Sequence, residues 1–228
     1  MLTKVLEKFP FYGDFVDIGG GNGYQMMSIE KLNFKNKNIL IEPGYQGCLT
    51  AKKRGVELVY NCLAQDFIFE EHNIQGVALL DVVEHIEDDE LFLKDLLLKL
   101  KPGVRLYITL PAHNYLWSDV DPYGGHFRRY NKRMIRELVK KLDTNLDYFT
   151  YFFSYLYPIS FIFRALPYRL GIRKNTQQLI EDERRQHNPS GLIKKIFNHM
   201  EQWELKKISK SSLKIGASCF LVLKKNYS

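Results

Sequence analysis

Cysteine is scarce in this chain. Cys48, Cys62 and Cys219 are the only three in 228 residues, an odd number with no Cys-x-x-Cys pair. That excludes a disulfide framework and a thioredoxin-type motif, and it fits reduced thiols in the core of a cytoplasmic protein. No secretory leader is expected either, because MLTKVLEKFPFYGD has no apolar core ahead of a small-residue cleavage site. Long apolar runs are absent. YFFSYLYPISFIFRALPYRLG, over 151–171, comes nearest, but Pro158, Arg164, Pro167 and Arg169 interrupt it. A membrane span needs about 20 consecutive, mostly apolar residues. No long Lys/Arg run exists, so the net charge of +7 forms no basic arm. There is no internal repeat and no low-complexity tract.

What remains is ordinary globular material. Hydrophobic residues make up 45% of the chain, enough for a sizeable core, and the length suits one α/β domain over 1–228. Short apolar runs at 14–18, 38–42, 56–60, 76–82 and 104–111 read as strands buried on both faces, as in a parallel sheet. Helical patterns lie between them at 24–31, 45–54 and 88–103. The last opens on Asp88 and Asp89, carries Leu91, Leu93, Leu96, Leu97 and Leu100, and stops at Pro102-Gly103. A helix at 131–142, a strand at 146–153, an amphipathic helix at 192–207 and a strand at 217–225 complete the pattern. It predicts a doubly wound, mostly parallel seven-stranded α/β sheet with right-handed crossovers.

The densest signal is FVDIGGGNGYQ, residues 15–25, where Gly19, Gly20, Gly21 and Gly23 fill four of five positions after the first strand. Such a turn falls at the carboxyl edge of the sheet, where open α/β folds bind ligands. Without Cβ atoms the backbone can approach a ligand closely. A P-loop is excluded because no Lys follows the glycines, and the dinucleotide pattern GxGxxG fails at its third glycine.

The pattern that fits is Asp17-x-Gly19-x-Gly21-x-Gly23. Here the chain resembles the class I S-adenosylmethionine-dependent methyltransferases of small-molecule type. Four further stretches resemble that family in order: Glu42 in LIEPG, Asp66 and Phe67 in LAQDF, Asp81 within LLDVVEHI, and LKPGVRLYITLP. The resemblance implies S-adenosyl-L-methionine as cofactor, with Asp17 and the glycines against it. It implies Glu42 on the ribose hydroxyls, Asp66 at the adenine amino group, Phe67 packed on the ring and Asp81 nearby. It also implies that strand 217–225 is an antiparallel edge strand. It covers most of the chain but fades between 153 and 211.

Methyl transfer to a hydroxyl needs a base. His126 in DPYGGHFRRY is the first candidate, His85 the second and His113 the third, since all three follow strands at the ligand edge. Arg128 and Arg129 suit either an anionic acceptor or acidic partners on the following helix. Asp81, Glu84, His85 and His126 loosely resemble the metal-binding set of small-RNA 2′-O-methyltransferases. That pattern has Glu in place of Asp81 and a later final His, so no metal is expected. The acceptor is expected to be an oxygen nucleophile on a sugar, a lipid-linked or an aromatic metabolite. RNA methylation and a non-catalytic scaffold are the alternatives. Nucleic acid is disfavoured, because no RNA-binding module and no NPPY-type motif are present. Residues 153–211 are expected to form a helical cap or insertion. A lid, a homodimer surface and peripheral contact with the inner face of a membrane through 151–173 all remain open for it.

Overall fold

The computed structural model describes residues 1–30, 37–187 and 191–227. Its frame is one seven-stranded sheet built from the apolar runs. The strands are β1 Asp14–Ile18, β2 Asn38–Ile41, β3 Leu58–Tyr60, β4 Ile74–Leu80, β5 Arg105–Pro111, β6 Thr144–Phe152 and β7 Ser218–Lys225. Their spatial order is β3-β2-β1-β4-β5-β7-β6. β1 pairs in parallel with both β2 and β4, so the winding direction reverses between β1 and β4. That switch point opens a crevice at the carboxyl ends of the two strands.

The helices are α1 Leu2–Lys8, α2 Tyr24–Glu30, α3 Tyr45–Lys53, α4 Asp89–Lys99, α5 Val120–Tyr123, α6 Lys132–Lys141, α7 Leu156–Ser160, α8 Leu166–Arg169, α9 Thr176–His187 and α10 Gly191–Lys210. A π-helical turn, Phe161–Ala165, joins α7 to α8. Lys31, the expected end of the helix after the glycines, lies outside the described residues. Capping explains where two helices begin. The Asp88 side chain accepts from Leu91 N, and the Asn131 side chain accepts from Arg133 N and Met134 N.

Three expectations change. β7 is not an edge strand: it lies between β5 and β6, antiparallel to both. Its five consecutive buried residues, Cys219–Leu223, suit a strand with partners on both sides. β6 alternates more, carries Asp147 and a register shift between Leu146 and Tyr148, and so tolerates the edge. β4 ends at Leu80, leaving Asp81 and Val82 beyond it, because Asp81 turns the chain with φ at +55°. Leu91, expected on the apolar face of α4, is 54% exposed, while Leu93, Leu96, Leu97 and Leu100 are buried. Among the described residues no helix is long and apolar enough to cross a membrane.

Candidate active site

Three turns build the crevice at the switch point. The first is the glycine loop after β1. Gly19, Gly21 and Gly23 take φ values of +70°, +54° and +75°, a region glycine enters freely. A Cβ on Gly19 would meet Val82 Cγ2 at 2.7 Å, and one on Gly23 would meet Ala51 Cβ at 2.9 Å. Those two glycines permit close packing. Gly21 differs, since no atom lies within 4 Å of where its Cβ would stand. Its lack of a side chain keeps space open.

Asp17, at the end of β1, is 1% exposed, and neither of its carboxylate oxygens has a hydrogen-bond partner. Burial first, and Glu42 second, push its pKa from 3.8 to about 7. An orphaned buried acid is costly. Glu42, just after β2, braces the loop: Oε2 accepts from Gly21 N at 2.9 Å and Oε1 from Gly44 N at 2.6 Å. Each oxygen keeps acceptor capacity for a further donor.

The second turn follows β3. Asp66 is exposed on the short helical turn Ala64–Asp66. Phe67 is 5% exposed, edge-on to Tyr60 and Phe69 and stacked on His72 at 5.2 Å. Its ring is enclosed by protein and not presented at the surface. A groove of about 610 Å³ runs beside this turn, between residues 64–65 and Leu91 and Phe92 of α4.

The third turn follows β4. Asp81 N donates to Thr109 Oγ1, and that hydroxyl donates to Asp81 Oδ1, both at 2.9 Å. The residue itself is solvent-accessible in the cleft, yet the protein packed around its carboxyl raises the pKa against the hydrogen bond from Thr109. Glu84 is 1% exposed, and its Oε2 has no partner. Burial and then Asp81 push its pKa up to about 8.

His85 and His126 meet here with ring centroids 4.9 Å apart, edge to face. Burial and His126 lower the His85 pKa, which favours neutral imidazole. His126 Nδ1 lies 3.0 Å from Asp121 Oδ1, on a fully buried carboxylate. Asp121 also accepts from Arg129 Nε at 2.6 Å and Ser118 N at 2.9 Å. Burial pushes its pKa up, but the bonds from His126, Arg129 and Ser118 prevail, and it lies below its ordinary value. With Nδ1–H turned to Asp121, the Nε2 lone pair of His126 is uncommitted. The ligand atoms of Glu84, His85 and His126 all lie within 4.8 Å of one another, and Asp81 stands outside that set.

The other candidates have structural partners. His113, at φ +62°, is sandwiched between Tyr115 at 4.9 Å and Tyr151 at 4.8 Å. Arg128 donates to Ile86 O and Glu87 O and pairs with Asp89, while Arg129 is 8% exposed and bound to Asp121. Sequence reasoning missed the pairing of Asp121 with His126. The one-turn helix α5 makes that contact by returning His126 N to Asp121 O at 2.9 Å. A cavity of about 200 Å³ reaches inward from this region, lined by Gln25, Asp81, Thr109, Phe153, Glu201 and Glu204 among others.

Solved structures share this architecture. Haemonchus contortus phosphoethanolamine N-methyltransferase 2, solved in complex with S-adenosyl-L-methionine, superposes with a TM-score of 0.54 at 18% identity, over 99% of this chain and 52% of its own. The chain thus spans about half the length of that enzyme. A SAM-dependent methyltransferase from Archaeoglobus fulgidus gives 0.54 at 15% identity, over 98% and 93%. The chain has the class I methyltransferase fold. That fold also carries other chemistry: the [4+2]-cyclase SpnF matches with a TM-score of 0.58 at 12% identity, over 100% of this chain and 81% of its own. No protein-family model and no curated protein matches the sequence. Within a methyltransferase fold, function has to be argued from the side chains in the crevice.

Proposed function

We propose that this chain is a methyltransferase that binds S-adenosyl-L-methionine in the β1/β4 crevice and acts on an oxygen nucleophile of a small molecule. The observation that carries the reading is the orphaned Asp17 carboxyl beneath a loop that keeps space open at Gly21. A buried carboxylate without donors fits a ligand that brings a positive group. Asp17, Gly19, Gly21 and Gly23 hold the charged end, Glu42 offers acceptor capacity to the ribose, and Asp66 stands at the adenine end. Phe67 supports that end from within the core. Asp81 is fixed by Thr109 at the mouth of the cavity.

Bound there, the cofactor supplies a methyl group made electrophilic by its sulfonium. His126 serves as the base: Asp121 fixes its tautomer, and Nε2 accepts the proton of the acceptor hydroxyl. His85, neutral and edge-on to His126, limits the movement of that ring. The acceptor is a sugar, lipid-linked or aromatic metabolite, and the helices between β6 and β7 form its cap. Titration calorimetry with S-adenosyl-L-methionine and its demethylated product tests the reading, followed by an acceptor screen. No binding of either ligand at millimolar concentration removes it.

Glu84 favours a second reading. Its Oε2 is buried and unpartnered and converges with His85 and His126, a donor set that suits a divalent cation. Asp121 would then orient His126 as a ligand. Metal analysis after incubation with Mn²⁺, Zn²⁺ or Mg²⁺ separates the two. Stoichiometric metal that is lost in Glu84→Gln supports the cation, and activity that survives chelation supports the base.

A further inference from the structure

The helical stretch 156–169 presents its apolar residues outward. Ile159, Ile162, Phe163, Leu166 and Leu170 recur at helical spacing, and their exposures are 38%, 52%, 65%, 39% and 70%. Ile172, just beyond, is 61% exposed. The other side of the stretch is anchored. Ala165 is fully buried, Tyr157 Oη lies 2.7 Å from Tyr115 Oη, and the π turn packs on the turn Asn114–Leu116. An amphipathic helix normally turns this stripe inward, so its outward face requires a partner.

Charge selects the partner. Residues 148–180 contain no Asp or Glu, but they contain Arg164, Arg169, Arg173 and Lys174. Lys174 is paired with Asp182, whereas Arg169 and Arg173 are exposed at the end of the apolar row. Arg173 lies over the Tyr168 ring at 3.5 Å. A second copy meeting this face by twofold symmetry would set the acid-free segment against itself. An anionic bilayer meets both features, with apolar side chains entering the headgroup boundary and arginines at the phosphates.

We infer that 156–173 is a docking surface for an anionic lipid bilayer, set beside the His126–Asp121 pair. Lys174 N, just past the stretch, donates to Asp119 Oδ2 at 3.0 Å, and the π turn packs on the turn Asn114–Leu116, which ties the helix to the loop that carries Asp121. In combination with the methyl-transfer reading, on which this last step rests, the acceptor is an amphiphile taken from the membrane surface.

Co-sedimentation with vesicles tests the docking. The full chain is mixed with phosphatidylglycerol/phosphatidylcholine vesicles and, separately, with phosphatidylcholine alone. Expected is binding to the anionic vesicles that weakens with salt. The double variant Phe163→Ser, Leu170→Ser should bind roughly tenfold more weakly or worse. Both side chains are exposed, so the variant should keep its fold and its calorimetric affinity for the cofactor. No binding of the wild type to either vesicle overturns the inference, as does binding that the double variant retains. A concentration-dependent dimer that the same variant dissociates, without vesicle binding, assigns the face to a second copy and also overturns it. Cofactor calorimetry is read separately, so docking and methyl transfer can fail independently.

Discussion

Asp17 is the residue where stability and function pull apart. Its folded pKa of about 7 stands above the ordinary 3.8. Below pH 3.8 the carboxyl is protonated in both folded and unfolded chains and has no effect. Between pH 3.8 and 7 the unfolded chain ionises first, so this group lowers stability as pH rises. The deficit levels off above about pH 7, on the order of 4 kcal/mol at most. Asp17→Asn should therefore melt higher than the wild type without ligand, with a gap that widens from pH 4 to pH 7, and should bind the cofactor more weakly. An equal or lower melting temperature at pH 7.5 would show that the carboxyl costs nothing. Gly21→Ala should lose cofactor affinity and about 1 kcal/mol of stability, because its methyl enters open space but alanine is strained at φ +54°. At His126, Ala substitution should cut turnover by about 10²–10⁴-fold with cofactor affinity preserved. Asp121 acts through His126, so Asp121→Asn should lower kcat while KM stays near normal. A change confined to KM would leave Asp121 with a purely structural role.

At the scale of elements, one buried carboxylate tethers α10 to the end of β6. Glu204 of α10 is 4% exposed and accepts from Phe153 N at 2.5 Å, Ser154 N at 2.8 Å and Ser154 Oγ at 2.7 Å. These bonds fix α10 where β6 ends and hold Phe153 at φ +56°. Glu204→Ala leaves two backbone donors unpaired in a partly buried site, at about 1–3 kcal/mol each. Faster amide exchange is expected across α10 and at 153–154, with β1–β5 protected as before. Uniform loss of protection would mean that the tether belongs to the global core. The region between β6 and β7 was also the least legible in the sequence. Apolar runs of five and eight residues marked β1 and β5 well, because burial on both faces leaves no other pattern. Pro158 and Pro167 read as breaks, yet they stand in the first turns of α7 and α8, where a missing N–H is tolerated. Leu91 misled because α4 is apolar around more of its circumference than it buries. The position of β7 depends on pairing at both of its edges, which one strand's sequence does not state.

For the whole molecule, the positions of the glycine loop, Glu42 and Asp81 at one sheet edge were legible because each directly follows an apolar strand run. The Asp121–His126 pair was not, because a buried carboxylate and an exposed one look alike in sequence. The arrangement concentrates strain and unpartnered charge at the crevice. Asp17 is orphaned under the loop, Asp81 and His113 turn with positive φ just past β4 and β5, and Glu84 is unpartnered beside them. Ligand binding to the folded chain alone adds RT ln(1 + [L]/Kd), about 2.7 kcal/mol at a hundredfold excess over Kd. For a chain of this length that raises Tm by roughly 5–10 °C. S-adenosyl-L-methionine or its demethylated product should give such a shift, and NAD none, because the third glycine of the dinucleotide turn is missing. The shift should also depend on pH. A cationic ligand favours ionised Asp17, so binding below pH 7 must first remove its proton, and affinity should rise with pH until about 7 and then level off. The stabilisation measured at pH 8 should therefore exceed that at pH 6 in the wild type, and the difference should vanish in Asp17→Asn. Equal shifts at both pH values in the wild type would separate Asp17 from the ligand. They would leave the glycine loop to account for binding alone.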